Sequence, residues 1–334
     1  MIHEVEYNYL SSLLKASLSK PLKNSSLDFP KETFITITSS GKAALHLILK
    51  WLQSQSILPD KTSTILTPRW LGNWVYRTIQ ATASPTDIIS TNTRAILVYH
   101  QYGFPQNISS ILPVARKHNL IIIEDCAHAL WSYYQNQRLG TIGDFGILSF
   151  SKFFPLLMGG AIITKNKDAH IFFQNQLKKS RDRYHPLLTI AKYLAVKFPS
   201  SQTTEILEAS YALYPYQTKP GPFTSKIISH NFSKLKQRQT NYSIIKNILG
   251  FNTWIAGLEN DALPYIVPLF TSPNRLPQLI SQIKQKGFYS GSYYFDVNRN
   301  LFNPNFIPMA WLPVHQGITS HQMEDICLSI KNYL

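Results

Sequence analysis

Asp125, His128, Ser149 and Lys152 fall within 28 residues, each at or just past the end of a segment that reads as a strand. A carboxylate closing an apolar strand is costly to bury unless a cation or hydrogen-bond donors meet it. Asp125 therefore calls for a partner. A protonated pyridine nitrogen fits, because an aspartate there keeps the ring charged and makes it an electron sink. A lysine one strand later supplies the complementary chemistry, since a desolvated or cation-flanked amine has a lowered pKa and becomes a nucleophile for an aldehyde. Residue types alone leave the matter open, because a strand ending in Asp before a polar turn is common.

The elements that must position these groups are legible as hydrophobic patterning. Residues 34–39 read as a strand, and Ser40-Gly41-Lys42 opens a helix whose Ala44, Leu45, Leu47, Ile48, Leu49 and Trp51 give one broad apolar face. Residues 62–66 form a second strand before Pro68, and a helix is expected over 73–83. The runs 95–99 and 120–123 are continuously apolar, as in strands buried on both faces of a parallel sheet. A helix over 109–118 separates them, and strands at 145–151 and 161–164 follow, the latter introduced by Gly159-Gly160. Strands alternating with helices predict an α/β fold with a mainly parallel sheet, whose ligands sit at the carboxyl ends of the strands. Beyond it, 168–214 reads as mostly helical, and Pro215, Pro220, Gly221 and Pro222 punctuate the chain. A long helix over 225–249, a strand at 265–270, a helix at 276–286 and a terminal helix at 320–332 complete the pattern. The expected division is a large domain, 1–215, and a smaller C-terminal α+β domain, 216–334.

With 33 Lys+Arg against 18 Asp+Glu the formal charge is +15, yet only 15% of the 334 residues are charged and 44% are hydrophobic. This is a shortage of acids in an otherwise globular composition, which excludes disorder. The basic residues are scattered, without the basic runs interleaved with aromatics that would announce nucleic-acid binding. Cys126 and Cys327 are too few for a disulfide framework and fit no zinc spacing, so no metal is expected. The segment MIHEVEYNYL offers neither the basic start nor the apolar core of a signal peptide, so a soluble cytoplasmic protein is expected.

Beyond these general signals, the chain resembles a known family. The motifs are H-x-Y-G at 100–103, E-D-C-A-H at 124–128, R-L-G-T-I-G-D-F at 138–145, S-F-x-K at 149–152 and G-G-A at 159–161. Ser-Gly-Lys-Ala-Ala at 40–44 and L-P-V-H-Q at 312–316 extend the match outward. Together they resemble the DegT/DnrJ/StrS family of pyridoxal-phosphate-dependent sugar aminotransferases, of the aspartate-aminotransferase-like fold type I. The resemblance implies that Asp125 binds the pyridine nitrogen, that Ala127 packs on one ring face and that His128 lies near the phenolic oxygen. It implies Ser149 on the phosphate and Lys152 as the Schiff-base lysine. Ser40, Gly41, Lys42 and Ala43 match the turn that holds the phosphate, which is physically an anion site at a helix N-terminus. The aromatic stacked on the ring would be Trp70 or Trp74, the latter equally readable as the inner face of a helix.

The chain also departs from the family pattern. Ser149 and Lys152 are only three residues apart, closer than is usual, and Leu157-Met158 stands where an acid is common before the paired glycines. The family's phosphate-binding asparagine from a neighbouring subunit has no clear counterpart.

Several residues carry two readings. His100 and Tyr102 end a strand at the same pocket and would contact substrate, although a histidine capping a turn is the plain alternative. By the resemblance, His315 matches a family position near the sugar site; its plain alternative is a structural role in a C-terminal turn. Cys126 reads as a small buried residue rather than a nucleophile. Lys178, Lys179, Arg181, Arg183, Lys192 and Lys197 read as a solvated helical face, with contact to a membrane surface the less favoured option.

The function implied is transamination of a keto group on a nucleotide-linked sugar, with glutamate as donor, by a homodimer in polysaccharide or glycoconjugate biosynthesis. A dehydratase of the same fold, or a non-catalytic relative that binds cofactor or sugar, is the alternative. Segments 69–77, 180–222 and 288–310 would shape the substrate side of the site.

Overall fold

The computed structural model describes residues 2–3, 5, 9–17, 20–21, 29–181, 184–198, 200–250 and 262–334. Among the described residues, nine strands and five α-helices occupy the first half: α1 (Tyr9–Ser17), β1 (Phe34–Thr38), α2 (Gly41–Ser54), β2 (Thr64–Leu66), α3 (Asn73–Gln80), β3 (Ser84–Thr86), β4 (Thr93–Tyr99), α4 (Ile108–Lys117), β5 (Ile121–Cys126), the hairpin β6 (Tyr133–Tyr134) and β7 (Gln137–Arg138), β8 (Phe145–Leu148), β9 (Gly160–Thr164) and α5 (Lys167–Lys179). Seven of these strands form one sheet in the order β1-β9-β8-β5-β4-β2-β3. The pairings from β3 through β8 are parallel, while β9 runs antiparallel to both β8 and β1. This is the mainly parallel α/β sheet that the alternating pattern predicts, with β5 at its centre.

The second half holds α6 (His185–Lys197), α7 (Ser201–Ser210), α8 (Thr224–Asn231), α9 (Leu235–Leu249), β10 (Ile266–Leu269), α10 (Leu276–Gln285), β11 (Ser292–Asp296), β12 (Phe306–Pro313) and α11 (Ser320–Ile330). Its strands make an antiparallel sheet in the order β10-β12-β11. The helix expected over 225–249 is two helices, broken by a tight turn at Phe232–Lys234. β3, β11 and β12 were not expected from the sequence.

Local sequence explains the elements nearest the strand ends. Ser40 caps α2, its Oγ accepting from the Ala43 N–H at 3.1 Å. Ala44, Leu45, Ile48 and Leu52 are buried on the inner side of that helix, in one core with Ile147 of β8 and Ile162 of β9. Gly160 has no alternative where β9 crosses the start of α2: a Cβ there would lie 2.3 Å from the Ser40 carbonyl carbon. The largest core joins both halves, running from Phe150, Phe153 and Phe154 to Ile266, Phe295 and Ile326. At this seam the Gln101 amide acts as a short strand, donating to Tyr294 O at 2.7 Å and accepting from Asp296 N–H at 2.9 Å.

Candidate active site

A cavity of about 470 Å³ opens at the carboxyl ends of β4, β5 and β8 and is closed by residues of the second half. Asp125 enters it from β5, paired in register with Tyr99 of β4 and Ile147 of β8. The Asp125 Oδ1 accepts from the Ala127 N–H at 3.0 Å. Burial raises its pKa, and the Ala127 N–H, His100 and Lys152 draw it only part of the way back. A carboxylate so placed gains by meeting a further cation.

Lys152 reaches the same cavity by a different device. The chain leaves β8 at Ser149 and makes one 3₁₀ turn, Phe150–Lys152. Phe150, Phe153 and Phe154 are all buried beneath it, which anchors the turn from below. Residues three apart eclipse in 3₁₀ geometry, so the short Ser149-to-Lys152 spacing presents both side chains on one side, and both line the cavity. The Lys152 Nζ lies 5.0 Å from the centre of the Tyr265 ring.

His128 and Ala127 also line the cavity. His128 Nδ1 shares a 2.7 Å hydrogen bond with the Tyr99 hydroxyl, and its ring stacks on Tyr265 at 4.4 Å and 2°. Burial, then Lys152, pushes the imidazole pKa well below its ordinary value, so it is neutral near pH 7. Ser40, Gly41 and Lys42 line the cavity too, at the N-terminus of α2, where a Cβ on Gly41 would lie 3.6 Å from Ser149 Cβ. Ala43 is not among the lining residues: its N–H is given to Ser40 Oγ at 3.1 Å and its side chain is fully buried.

Trp70 and Trp74 both line the cavity. Trp70 packs against Tyr294 and Phe306, and Trp74 meets the edge of Tyr211 at 5.6 Å. Tyr102 lines it too, at a φ of 55° next to Gly103, whose own φ is +103°. A Cβ on Gly103 would sit 2.7 Å from His128 O and from Pro264 Cα, so the two halves close on this glycine.

Two expected substrate contacts lie elsewhere. His100 is fully buried; its Nδ1 accepts from the Gln106 N–H at 3.1 Å, which leaves Nε2–H to donate to Glu124 at 3.2 Å. His315 is buried and its Nδ1 accepts from the Gly317 N–H at 3.0 Å, while burial and then Arg238 push its pKa down to about 3. Neither ring lines the cavity, because each is spent on holding a turn. His100, Glu124 and Cys126 bring possible metal-ligand atoms within 4.8 Å of one another. The Glu124 oxygens are already taken by Gly140, Ile142 and Gly143 N–H groups, and burial holds the Cys126 thiol protonated.

Sequence reasoning missed Lys192, Tyr211, Tyr214, Tyr265 and Tyr293, all of which line the cavity. The first three come from the segment 180–222 and Tyr293 from 288–310. Lys192 therefore leaves the solvated face assigned to the basic stretch, and Arg183 lies outside the described residues.

Comparison with known proteins gives this geometry a context. Residues 81–181 match the model of the DegT/DnrJ/EryC1/StrS aminotransferase family. That segment carries β4, β5, β8 and β9, together with Asp125 and Lys152. The chain is 32% identical over 175 residues to the GDP-perosamine synthase of Escherichia coli O157:H7, covering 46% of this chain and 48% of that protein. It is 42% identical over 62 residues to the UDP-N-acetyl-3-dehydro-alpha-D-glucosamine 3-aminotransferase of Acidithiobacillus ferrooxidans, 19% of this chain and 17% of that one. The matches thus span less than half the length of these relatives. The aminotransferase TlmJ of Streptoalloteichus hindustanus superposes with a TM-score of 0.66 at 14% identity, covering 99% of this chain and 97% of that one, a likeness of fold. The fold is that of the DegT-type aminotransferases.

Proposed function

We propose that the protein is a pyridoxal-phosphate-dependent aminotransferase that converts a keto group of a nucleotide-linked sugar into an amino group, with glutamate as donor. The observation that carries this reading is the convergence of Asp125 and Lys152 on one cavity that the N-terminus of α2 also lines. These residues fit the cofactor. Asp125, its pKa raised by burial, would be matched by a protonated ring nitrogen. Ser149 and the Ser40–Lys42 turn would receive the phosphate, Ala127 with Trp70 or Trp74 would bracket the ring, and His128 would face its oxygen. When bound, pyridoxal phosphate supplies the aldehyde carbon and the electron sink for transamination.

The chain's own part is binding and proton management. Lys152 Nζ would hold the cofactor through its aldehyde carbon and would serve as the base that takes and returns the proton at the substrate carbon. Asp125 would hold the ring nitrogen in its protonated form. The presence of Lys152 favours transamination over dehydration, which in related enzymes goes with histidine in place of that lysine. Both sequence relatives carry a nucleotide sugar in their names, which supports this reading.

The proposal extends to organisation. The seven-stranded sheet ends at Thr164 and the three-stranded one begins at Ile266, which supports a large unit over 1–215 and a small one over 216–334. No helix among the described residues is long and apolar enough to cross a membrane. We place the enzyme in the cytoplasm as a homodimer, which light scattering would check.

The test is spectroscopic. The purified protein with pyridoxal phosphate should show a near-visible band that bleaches on adding glutamate, and Lys152→Ala should remove both the band and glutamate-dependent amination of keto nucleotide sugars. Retention of band and amination in that variant would sink the reading.

A further inference from the structure

Arg238 of α9 is fully buried, a costly place for a charge unless it is well held. Its Nη1 donates to two carbonyl oxygens at the entry to β10, Pro264 O at 3.0 Å and Tyr265 O at 3.2 Å. Its Nε donates to Gln316 Oε1 at 3.4 Å, and its guanidinium carbon lies 4.7 Å from the centre of the Phe153 ring. Gln316 in turn donates from Nε2 to Phe153 O at 2.6 Å. On the next turn of α9 the buried Asn241 amide donates to His315 O at 3.1 Å and to Ile318 O at 2.9 Å, which fixes the loop that carries Gln316.

These contacts converge on Lys152 from two sides. Phe153 directly follows Lys152 and closes the 3₁₀ turn. Tyr265 borders the amine itself: the Lys152 Nζ lies 5.0 Å from the centre of its ring, and that ring stacks on His128. The Tyr265 N–H also donates to Tyr102 O at 2.8 Å, which ties it to the turn after β4. Neither Arg238 nor Gln316 lines the cavity. The guanidinium fork is planar and rigid, so it sets a fixed spacing between the Phe153 and Tyr265 segments.

We infer that Arg238 and Gln316 are positioning residues for Lys152: together they clamp the backbone of the Lys152 turn to the Tyr265 segment and so set where the Lys152 amine stands in the cavity. The clamp belongs to the second half of the chain and the amine to the first, so the contact between the halves aligns the reactive group. That this amine holds an aldehyde rests on the function proposed above; the clamp does not. Misplacing a reacting atom by about 1 Å costs on the order of a hundredfold in rate, whereas binding that does not use the amine is insensitive to it.

Three variants separate positioning from plain stability. Gln316→Glu is isosteric, keeps an acceptor for Arg238 and removes the donor to Phe153 O. Arg238→Met removes the fork and keeps an apolar stem against Phe153, and Arg238→Lys restores the charge without the fork. In the first two, affinity for pyridoxal phosphate should fall by roughly tenfold or more, because its aldehyde needs Lys152. Affinity for pyridoxamine phosphate, which has no aldehyde, should be unchanged, and Arg238→Lys should recover part of the loss. The kcat for amination should fall in parallel while KM for the keto sugar holds. In cofactor-free protein, hydrogen exchange of the backbone at 150–154 should quicken in both, with that of α2 as in the wild type. If Arg238→Met does not fold, Gln316→Glu decides. Wild-type affinity for pyridoxal phosphate in Gln316→Glu, or an equal loss for both cofactor forms, overturns the inference. A wild-type protein that binds neither form defeats the proposed function, and exchange at 150–154 then decides the clamp: quickened exchange upholds it and wild-type exchange overturns it.

Discussion

Glu124 and Asp125 are consecutive, both buried, and both near the end of β5, yet they do different work. Alternation along the strand sends them to opposite faces. Glu124 meets the loop after β7, where Gly140, Ile142 and Gly143 each donate an N–H at 2.7–2.9 Å and His100 adds Nε2. Asp125 meets the cavity and accepts one backbone N–H, from Ala127. Burial is therefore a poor marker of function here. Hydrogen-bond saturation is the better one, because a saturated carboxylate has no capacity left for a ligand.

The largest expected effect tests the saturated member. Glu124→Ala would strand three backbone donors and the His100 N–H in a buried loop, and should cost about 3–5 kcal/mol of stability in urea unfolding. A loss under about 1 kcal/mol would show that the loop does not depend on this carboxylate.

Asp125→Asn should do the reverse. It is isosteric and removes a buried charge, so the cofactor-free protein should be at least as stable as the wild type, while transamination falls about a hundredfold or more. The pH dependence sharpens this further. The folded protein holds the Asp125 proton more tightly than the unfolded chain does. It therefore carries the extra proton between the unfolded carboxylate value, about 4, and its own raised value, and its stability falls as pH rises across that window. The stability difference between wild type and Asp125→Asn should accordingly grow against the wild type from pH 4 upward. A difference that is flat with pH would remove the contrast with Glu124.

The contrast also marks how far a sequence can be read. The apolar runs ending at Tyr99, Asp125 and Ser149 place three strand ends side by side, so Asp125, His128, Ser149 and Lys152 are legible as a group. That the adjacent Glu124 is structural is not legible, because its partners lie 16 to 19 residues away in a loop of irregular backbone. The second half is harder still. β12 carries Pro308 inside a central strand, and Ser292–Asp296 has three exposed residues in succession, so neither shows the pattern of a buried strand. Lys192, Tyr211 and Tyr214 join the cavity only through tertiary packing, and nothing in local spacing announces them. The short Ser149-to-Lys152 interval, by contrast, is explained by a single 3₁₀ turn once the phenylalanines beneath it are seen.

His100 extends the comparison to the partner of the saturated acid. Its two ring nitrogens bridge Glu124 and the Gln106 N–H. His100→Phe should lose about 1–3 kcal/mol of stability with KM for the keto sugar unchanged. A KM that rises while stability holds would return His100 to the substrate side.

The smallest effect belongs to Cys126, which follows Asp125 and shares the Glu124 face. Its side chain is fully buried, and burial first, then Glu124 and Asp125, raises its pKa well above the usual thiol value. A protonated, inaccessible thiol is neither a nucleophile nor a metal ligand. Cys126→Ala removes one heavy atom from a packed site and should cost about 1 kcal/mol or less, comparable to trimming a single methyl group from a core. Activity should persist, and a thiol reagent should leave the native wild type unmodified at this position until it unfolds. Loss of activity without loss of stability would mean that this face of β5 also does chemistry, and the division between its two sides would fail.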